Sequence, residues 1–520
     1  MIKDSKIIQA VSSISQRAER QRDINKIIDS YVEVGILPQL INNNNQILYG
    51  RRGTGKTHIL RILEDTINKT PNKTTCYIDC RFLGSSPQFT DHTMSIEYRC
   101  SSLFTDILNE IFNSILNYIA YNPNKNSDLA LDSLNSLEKT SIEEIQKSKK
   151  ITNREKGLKE KQSGNNISLN PSSIDVSFTN ASKKSDENEK TTEFETEEFE
   201  KIVFPDLHYY LQRVLKEAEV DLFLIIDEWS AIPIDIQPYL AEFLKKSFIP
   251  VPEVILKIGA LEYRSSFTIP REKHNYIGFE LGSDISTNLD IDEYFVYDRN
   301  PSEITNTFSE ILFKHIKSEL PENFLYENYA IKTNKQLLQT LFTGNTAFDE
   351  LVRASEGVVR DYINIFTLAF FDAQRKNSSN IDKKIVVEAS RQWFENDKAK
   401  NLDDFLHEKV RLIIDEVIGK KKARSFLVSR KLEQNPIIQK LFDARVIHIV
   451  KRGYSDKDNP GIRYNIYSLD YGTYVDLINT SKQPQIEFEF TEEVDSEEFI
   501  VPFDDKRSIR RIILTEQHLE

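Results

Sequence analysis

The chain is poor in cysteine, in net positive charge and in long apolar runs, and each shortage removes a class of protein. Three cysteines, Cys76, Cys80 and Cys100, stand in 520 residues. Their number and spacing make neither a disulfide framework nor a four-ligand zinc site. The run TTCYIDC reads as a strand in which small thiols are buried, so no chemistry is assigned to them. The longest apolar stretches, such as LFLII at 222–226, are too short to cross a bilayer. The opening MIKDSKIIQAVSSISQ lacks the apolar core of a secretory signal. The expected location is therefore the cytoplasm, with no membrane partner. A formal charge of −13 excludes a protein that coats nucleic acid with its whole surface and leaves room only for a local basic patch. No repeat of solenoid period occurs, and the length calls for two or three domains.

Apolar spacing at Ile24, Ile27, Ile28, Tyr31 and Val32 predicts a helix over 17–42. NQILYG at 45–50 reads as a short buried strand, followed by a glycine turn and the helical THILRILEDTIN. From 121 to 200 the composition turns to Asn, Ser, Lys, Thr and Glu, too polar to offset chain entropy, and is read as an insertion, mostly disordered. A hairpin is conceivable within it at ISLNPSSIDVSF. Further strands and helices then alternate, which implies a parallel sheet covered on both faces. From 301 the pattern is that of a separate helical bundle reaching to about 400. Residues 401–480 give helices and then two strands around a polar turn, the arrangement of a winged helix, and 481–520 form an acidic tail.

GRRGTGKT matches G-x-x-x-x-G-K-[ST], with Gly50, Gly55, Lys56 and Thr57 at the defining positions. Glycines let backbone N–H groups turn onto phosphate oxygens, Lys56 reaches the β- and γ-phosphates, and the Thr57 hydroxyl binds Mg²⁺ at a helix N-terminus. The candidate phosphate-binding loop is thus Gly50, Arg51, Arg52, Gly53, Thr54, Gly55, Lys56 and Thr57, with His58 next to it. LFLIIDEW supplies the second half of the chemistry. A buried strand ends in two acids: Asp227 to hold Mg²⁺ and Glu228 to orient the attacking water. Adjacent carboxylates at such a strand end are costly unless a cation compensates them. Adenine is the better guess for the base, so the expected cofactors are ATP and Mg²⁺.

Three arginine positions compete for a role at the γ-phosphate. Arg264, on the strand end VILKIGALEYRS, is a candidate sensor arginine or intersubunit finger, with Arg271 as its rival and a surface role as the plain alternative. Arg360, in SEGVVRDYI, stands at a helix start from which it could couple the bundle to the nucleotide.

These residues resemble the AAA+ ATPases, and within them the origin-recognition-type initiators and their prokaryotic relatives. The resemblance rests on VEVGILPQL, GRRGTGKTH, LIIDEWSAIPIDIQPYLAE, KIGALEYRS and EGVVRDYI followed by a winged helix. It implies an α/β AAA+ P-loop sheet sandwiched by helices, with a helical lid and a C-terminal winged helix. It makes Lys56 and Thr57 the Walker A residues, Asp227 and Glu228 the Walker B residues, and Arg360 the lid's sensor-2 arginine. An arginine in place of the family's sensor-1 polar residue near Leu261 to Arg264 resembles instead the signal-transducing STAND ATPases, and the 121–200 insertion is a second departure.

Residues 405–475 hold 14 Lys plus Arg against 8 Asp plus Glu. Lys420, Lys421, Lys422, Arg424, Arg430, Lys431, Lys451, Arg452 and Arg463 supply much of that excess, which suits sequence-tolerant phosphate contacts. The expected function is an ATP-hydrolysing switch whose nucleotide state controls a winged helix on double-stranded DNA. The alternative is an ATP-gated signalling or defence scaffold that forms homo-oligomers and uses the winged helix for protein contact.

Overall fold

A computed structural model describes the chain apart from residues 15–20, 22, 85–86, 141, 152–192, 272–275, 298–299, 421–422, 456–459, 474–511 and 520. The N-terminal part opens with α1 (Ser5–Ile14), α2 (Ile24–Ser30) and α3 (Leu37–Leu40). The single helix expected over 17–42 is broken at Tyr31, which is extended (ψ 136°), and the chain turns at Gly35 (φ +90°) before Pro38 stands in the first turn of α3. After β1 (Gln46–Tyr49) come α4 (Lys56–Asn68), β2 (Lys73–Asp79), α5 (Ile96–Tyr121), α6 (Ser127–Thr140), β3 (Ile142–Ile151) and β4 (Glu193–Ile202). Then follow α7 (Phe204–Ala218), β5 (Asp221–Asp227), α8 (Gln237–Phe248), β6 (Val254–Ala260), β7 (Thr268–Pro270), β8 (Tyr276–Gly278) and β9 (Ser286–Asp290).

Five of these strands form one parallel sheet in the order β2-β5-β6-β1-β9. Numbered along the chain, that is 5-1-4-3-2, the AAA+ order. β5 and β6 are almost wholly buried and rich in Leu, Ile, Val and Phe, as strands covered on both faces must be. One face packs on α5, α7 and α8; the other packs on α4. The chain leaves β1 into α4, crosses to the far edge at β2, and so opens a crevice at the C-terminal ends of the strands, where ligands of open α/β sheets sit.

Within 121–200, expected to be mostly disordered, α6 packs on α7 and β3 pairs antiparallel with β4 from Ile142↔Ile202 to Ile151↔Glu193. A polar average hides an amphipathic helix here: Ala130, Ser133, Leu134 and Leu137 are the buried face of α6. The hairpin considered at ISLNPSSIDVSF lies outside the described residues.

The helical part comprises α9 (Pro301–Ser318), α10 (Phe324–Tyr329), α11 (Asn334–Leu341), α12 (Asn345–Ala354), α13 (Val359–Arg375) and α14 (Lys383–Trp393). Their starts are written locally: Asn300 accepts from Glu303 N ahead of Pro301, and Thr333 with Gln336 makes a capping box. Instead of an independent bundle, these helices share one apolar cluster with the sheet, running from Leu48, Leu60 and Leu63 through Ile291 and Phe295 to Phe308, Leu312 and Phe366. The last part is α15 (Asp404–Ile414), β10 (Ser425–Ser429), α16 (Pro436–Asp443), β11 (Ile447–Ser455) and β12 (Arg463–Leu469). Its three strands pair antiparallel in the order β10-β12-β11, with the β11–β12 hairpin following α16. Among the described residues no helix is long and apolar enough to cross a membrane.

Candidate functional site

At the C-terminal edge of β1 the chain turns through Gly53 (φ +89°) and Gly55 (φ +100°) directly into α4, so the first backbone N–H groups of that helix face the crevice. A cavity of about 400 Å³ opens there. One wall is the loop itself, with Arg52, Gly53, Gly55, Lys56, Thr57 and His58. A second is the strand-end pair Arg81 and Glu228. The third is the helical part, with His315, Val359, Arg360 and Ile363, closed off by Ile27 of α2.

Asp227 is completely buried at the end of β5. Its Oδ2 accepts from Thr57 Oγ1 (2.7 Å) and from Tyr77 OH (2.7 Å), and its Oδ1 accepts from Glu228 N (2.8 Å). Strand β6 lies between β1 and β5, and what lets these groups meet across it is Gly259. A Cβ there would stand 2.7 Å from Asp227 Oδ1 and 2.9 Å from Leu60. Gly259 is not among the residues the sequence singles out, although a glycine inside a strand marks a close approach. Glu228 adopts left-handed backbone (φ +55°), an uncommon state for a non-glycine residue, and this turns its side chain into the cavity beside the loop.

Lys56 is buried, and its Nζ donates to Gly50 O (2.6 Å) and Arg51 O (3.0 Å). Burial pulls its pKa down, against the pull of Glu228 and Asp227. Those carbonyl bonds are what a phosphate would replace. Thr57 Oγ1 and the Asp227 carboxylate form an all-oxygen pair, the donor set a hard cation takes, and they already touch each other, so the residues fit Mg²⁺. Among the described residues no group of three or more His, Cys, Asp or Glu offers a protein-only metal cage. A Walker-type site needs none, because phosphates and water fill the remaining positions.

Arg360 caps the loop from the helical side. Its N donates to Gly53 O (2.9 Å), and a Cβ on Gly53 would lie 2.6 Å from that of Arg360. His58 is in the wall, its Nε2 donating to Ile27 O (2.7 Å) and its ring edge-on to His315. Burial lowers both histidines, His315 to about 4, so they are neutral groups that fix α2 and α9 around the cavity.

Three expected site residues stand elsewhere. Thr54 is buried and donates to Arg51 O (2.9 Å), bracing the loop. Arg51 turns away from the cavity: its N and Nε donate to Asp292 (2.8 and 3.0 Å), its Nη1 to His448 Nδ1, its Nη2 to Glu356 O, and its guanidinium lies over the Phe442 ring. A buried guanidinium needs such partners, and Asp292 and His448 supply them where the cavity does not. Arg264 Nε donates to Asp443 of α16 (2.6 Å), so it joins two domains instead of lining the cavity.

Arg51 is the edge of a buried polar network. His448 Nε2 donates to Asp470 (2.8 Å), Lys398 bridges Asp470 (2.5 Å) and Asp361 (3.0 Å), and Arg445 pairs with Asp361 and Asp397. Burial works against the charge on Asp361, but Lys398 and Arg445 hold it below its ordinary value. Burial and the Arg51 guanidinium push His448 down to about 3, consistent with Nδ1 acting as an acceptor. Asp361 directly follows Arg360, and Arg51 directly precedes Arg52 and Gly53, so the network touches the cavity wall at two points. Beside it, Arg452 enters an acidic cluster of Glu262 (2.7 Å), Asp290 (3.1 Å) and Glu293 (3.8 Å), and Arg424 pairs with Glu356 (3.0 Å). Arg424 and Arg452, expected on a DNA-facing patch, are thus spent between domains.

The ORC-CDC6-like family model matches residues 14–72, the stretch that carries α2, α3, β1, the glycine loop and α4. That stretch is similar to the ORC-CDC6-like family. Among solved structures the chain is similar to Cdc6p from Pyrobaculum aerophilum (13% identity, 88% of this chain and 93% of that one, TM-score 0.33). It is also similar to the Aeropyrum pernix ORC1 protein in complex with DNA (12%, 87% and 94%, TM-score 0.33) and to Drosophila ORC bound to DNA (11%, 91% and 91%, TM-score 0.31). At such scores the assignment of the fold rests on the strand order and the loop geometry above. No curated protein matches the chain.

Proposed function

We propose that the chain is an ATP-binding and ATP-hydrolysing AAA+ switch whose nucleotide state sets the position of a C-terminal winged helix on double-stranded DNA. The observation that carries this reading is the course of one loop. Arg51 is fixed to His448 of the C-terminal domain, while its neighbours Arg52 and Gly53 line the cavity and Gly53 touches Arg360. A ligand that reshapes the loop acts on all three parts at once, and it shifts the equilibrium by the difference of its affinity for the two arrangements. On this reading residues 1–300 are the AAA+ domain, 301–400 the lid, 401–480 the winged helix and 481–520 an acidic tail.

In that role Lys56 moves its donors from the loop carbonyls to the β- and γ-phosphates, and Thr57 with Asp227 holds Mg²⁺, which offsets charge on the phosphate oxygens. Glu228 orients the attacking water, and Arg360 links the γ-phosphate to the lid. Arg264, half-exposed and paired with Asp443, serves as a contact between domains that an assembling neighbour could take over. A protein-docking use of the C-terminal domain is the second reading, favoured by the withdrawal of Arg424, Arg445 and Arg452 into ion pairs.

The test is binding to a labelled duplex with and without ATP-Mg across a salt series, using wild type, Lys56→Ala and Glu228→Gln. Lys56→Ala should lose ATP binding, and Glu228→Gln should bind ATP and turn it over slowly. DNA binding that requires ATP and weakens with salt supports the switch. A Glu228→Gln protein with normal turnover would remove Glu228 from the chemistry, and absence of DNA binding in every nucleotide state would favour the docking reading.

A further inference from the structure

The C-terminal domain carries a groove that already holds a peptide, residues 512–519 of its own chain. β10 is the edge of the three-stranded sheet, and on its outer side Leu427 N donates to Ile512 O (2.8 Å) while Leu514 N donates to Leu427 O (2.8 Å). Ile513 therefore pairs with Leu427 as a parallel bridge. Side chains alternate as a strand requires: Ile512 and Leu514 are buried in the main core of the domain, while Ile513 packs beside Leu427 on the other face. The segment ends in a short turn capped by Thr515 and His518 that drops Leu519 into the same core beside α15. Lys431 and Glu516 (3.3 Å) stand at its rim.

This is strand addition to an exposed edge, in which main-chain bonds give affinity and alternate pockets give selectivity. The residue immediately before the tether is Thr473, and 38 residues, 474–511, separate it from Ile512. At roughly 3.5 Å per residue that length spans up to about 130 Å, several times the width of a domain of this size, on the order of 30 Å. Covalent geometry therefore does not oblige groove and segment to belong to the same copy. Exchange between copies replaces every contact with its identical counterpart and costs no new one.

We propose that residues 512–519 are an exchangeable strand, and that the groove along β10 takes this segment from a second copy of the chain. Occupancy within one copy dominates in dilute protein, because tethering holds the segment at an effective concentration above that of the other copies, though a linker this long keeps it below what a short one reaches. Occupancy between copies takes over wherever copies are held together.

The experiment uses tagged chain ending at 511, whose groove is empty, and a fluorescent peptide of residues 510–520. The shortened chain should bind the peptide saturably, a Leu514→Asp peptide at least tenfold more weakly, and the full chain, its groove filled, also at least tenfold more weakly. Tagged 1–511 should then retain untagged full chain at tens of micromolar, but not full chain carrying Leu514→Asp. A shortened chain that keeps a cooperative melt yet binds no peptide would overturn the proposal, as would peptide binding without retention of full chain. If the shortened chain does not fold, a protease site placed within 474–511 of the full chain is cut after folding. Release of the 512–520 fragment on dilution, with its replacement by labelled peptide, then supports exchange, and a fragment that never leaves refutes it.

Discussion

Replacing Arg51 by methionine separates the two roles an arginine in a phosphate loop can have. The side chain is buried, and the Asp292 carboxylate that it holds is equally enclosed. Methionine fills much of the volume but leaves Asp292 with only the Arg51 backbone N–H of the two bonds the pair now makes, and takes the guanidinium away from His448 Nδ1 and Glu356 O. Breaking a buried ion pair from one side costs about 3–5 kcal/mol. Spread over a unit of this size, such a loss lowers the melting temperature by on the order of 6 °C or more. The readout is the melt of wild type, Arg51→Met, Asp292→Asn and the double variant, with ATP affinity measured on each. Because the partners interact directly, the double variant should lose clearly less than the sum of the singles. ATP affinity should fall no more than about threefold, since the guanidinium does not face the cavity, a change worth about 0.6 kcal/mol. A melt unchanged within about 1 kcal/mol, or a well-folded Arg51→Met that no longer binds ATP, would refute the placement of Arg51.

Gly259→Ala drives a methyl group into Asp227 and should push the carboxylate off Thr57. The Mg²⁺ concentration needed for half-maximal nucleotide binding should rise on the order of tenfold or more, and an unchanged Mg²⁺ requirement would show that the strands simply shift apart. Stability should also fall in mild acid through His448, whose folded pKa of about 3 lies below its ordinary 6.5 because of burial and the nearby Arg51. Below pH 6.5 the unfolded chain takes up a proton that the folded chain refuses, so the stability present at neutral pH drains away toward pH 3. His448→Gln should flatten that slope, and equal slopes from pH 7.5 to 5 in both proteins would discount it.

The cluster at the strand ends was legible because its parts are short and local. The P-loop is eight consecutive residues, and Asp227 and Glu228 close a run of buried apolar side chains that only a central strand accommodates. Arg360 was legible through its helix start. What stayed hidden is what distance along the chain conceals: Arg51 and His448 are 397 residues apart, and Lys398 and Asp470 are 72 apart. No local spacing distinguishes a buried charge with a remote partner from a solvated one, so Arg51 read as a phosphate ligand and Arg452 as a DNA contact. Composition misled in a second way at α6, where four buried positions suffice for a helix that the surrounding polar residues dilute. The fifth sheet strand, β9, escaped because Ser286–Asp290 is mostly polar and sits at an edge, where one covered face is enough.

These buried arginines bear directly on how DNA would be held. Of the nine basic residues that make up the expected patch, Lys421 and Lys422 lie outside the described residues, and Arg424 and Arg452 are in ion pairs between domains. Lys420 faces Glu416 and Lys431 faces Glu516, in exposed pairs that a phosphate can displace at little cost. Arg430, Lys451 and Arg463 are exposed on the domain as it now sits. Each phosphate neutralised contributes about −0.9 to the slope of log affinity against log salt. If nucleotide frees the C-terminal domain, Arg424 and Arg452 become available and the slope should steepen by about 2 between the two nucleotide states. If the domain binds DNA while still docked, the slope stays the same and only the affinity changes. A salt series in each nucleotide state therefore tells release from simple tightening, and Arg452→Gln should remove about half of the added slope while leaving the docked-state slope where it was.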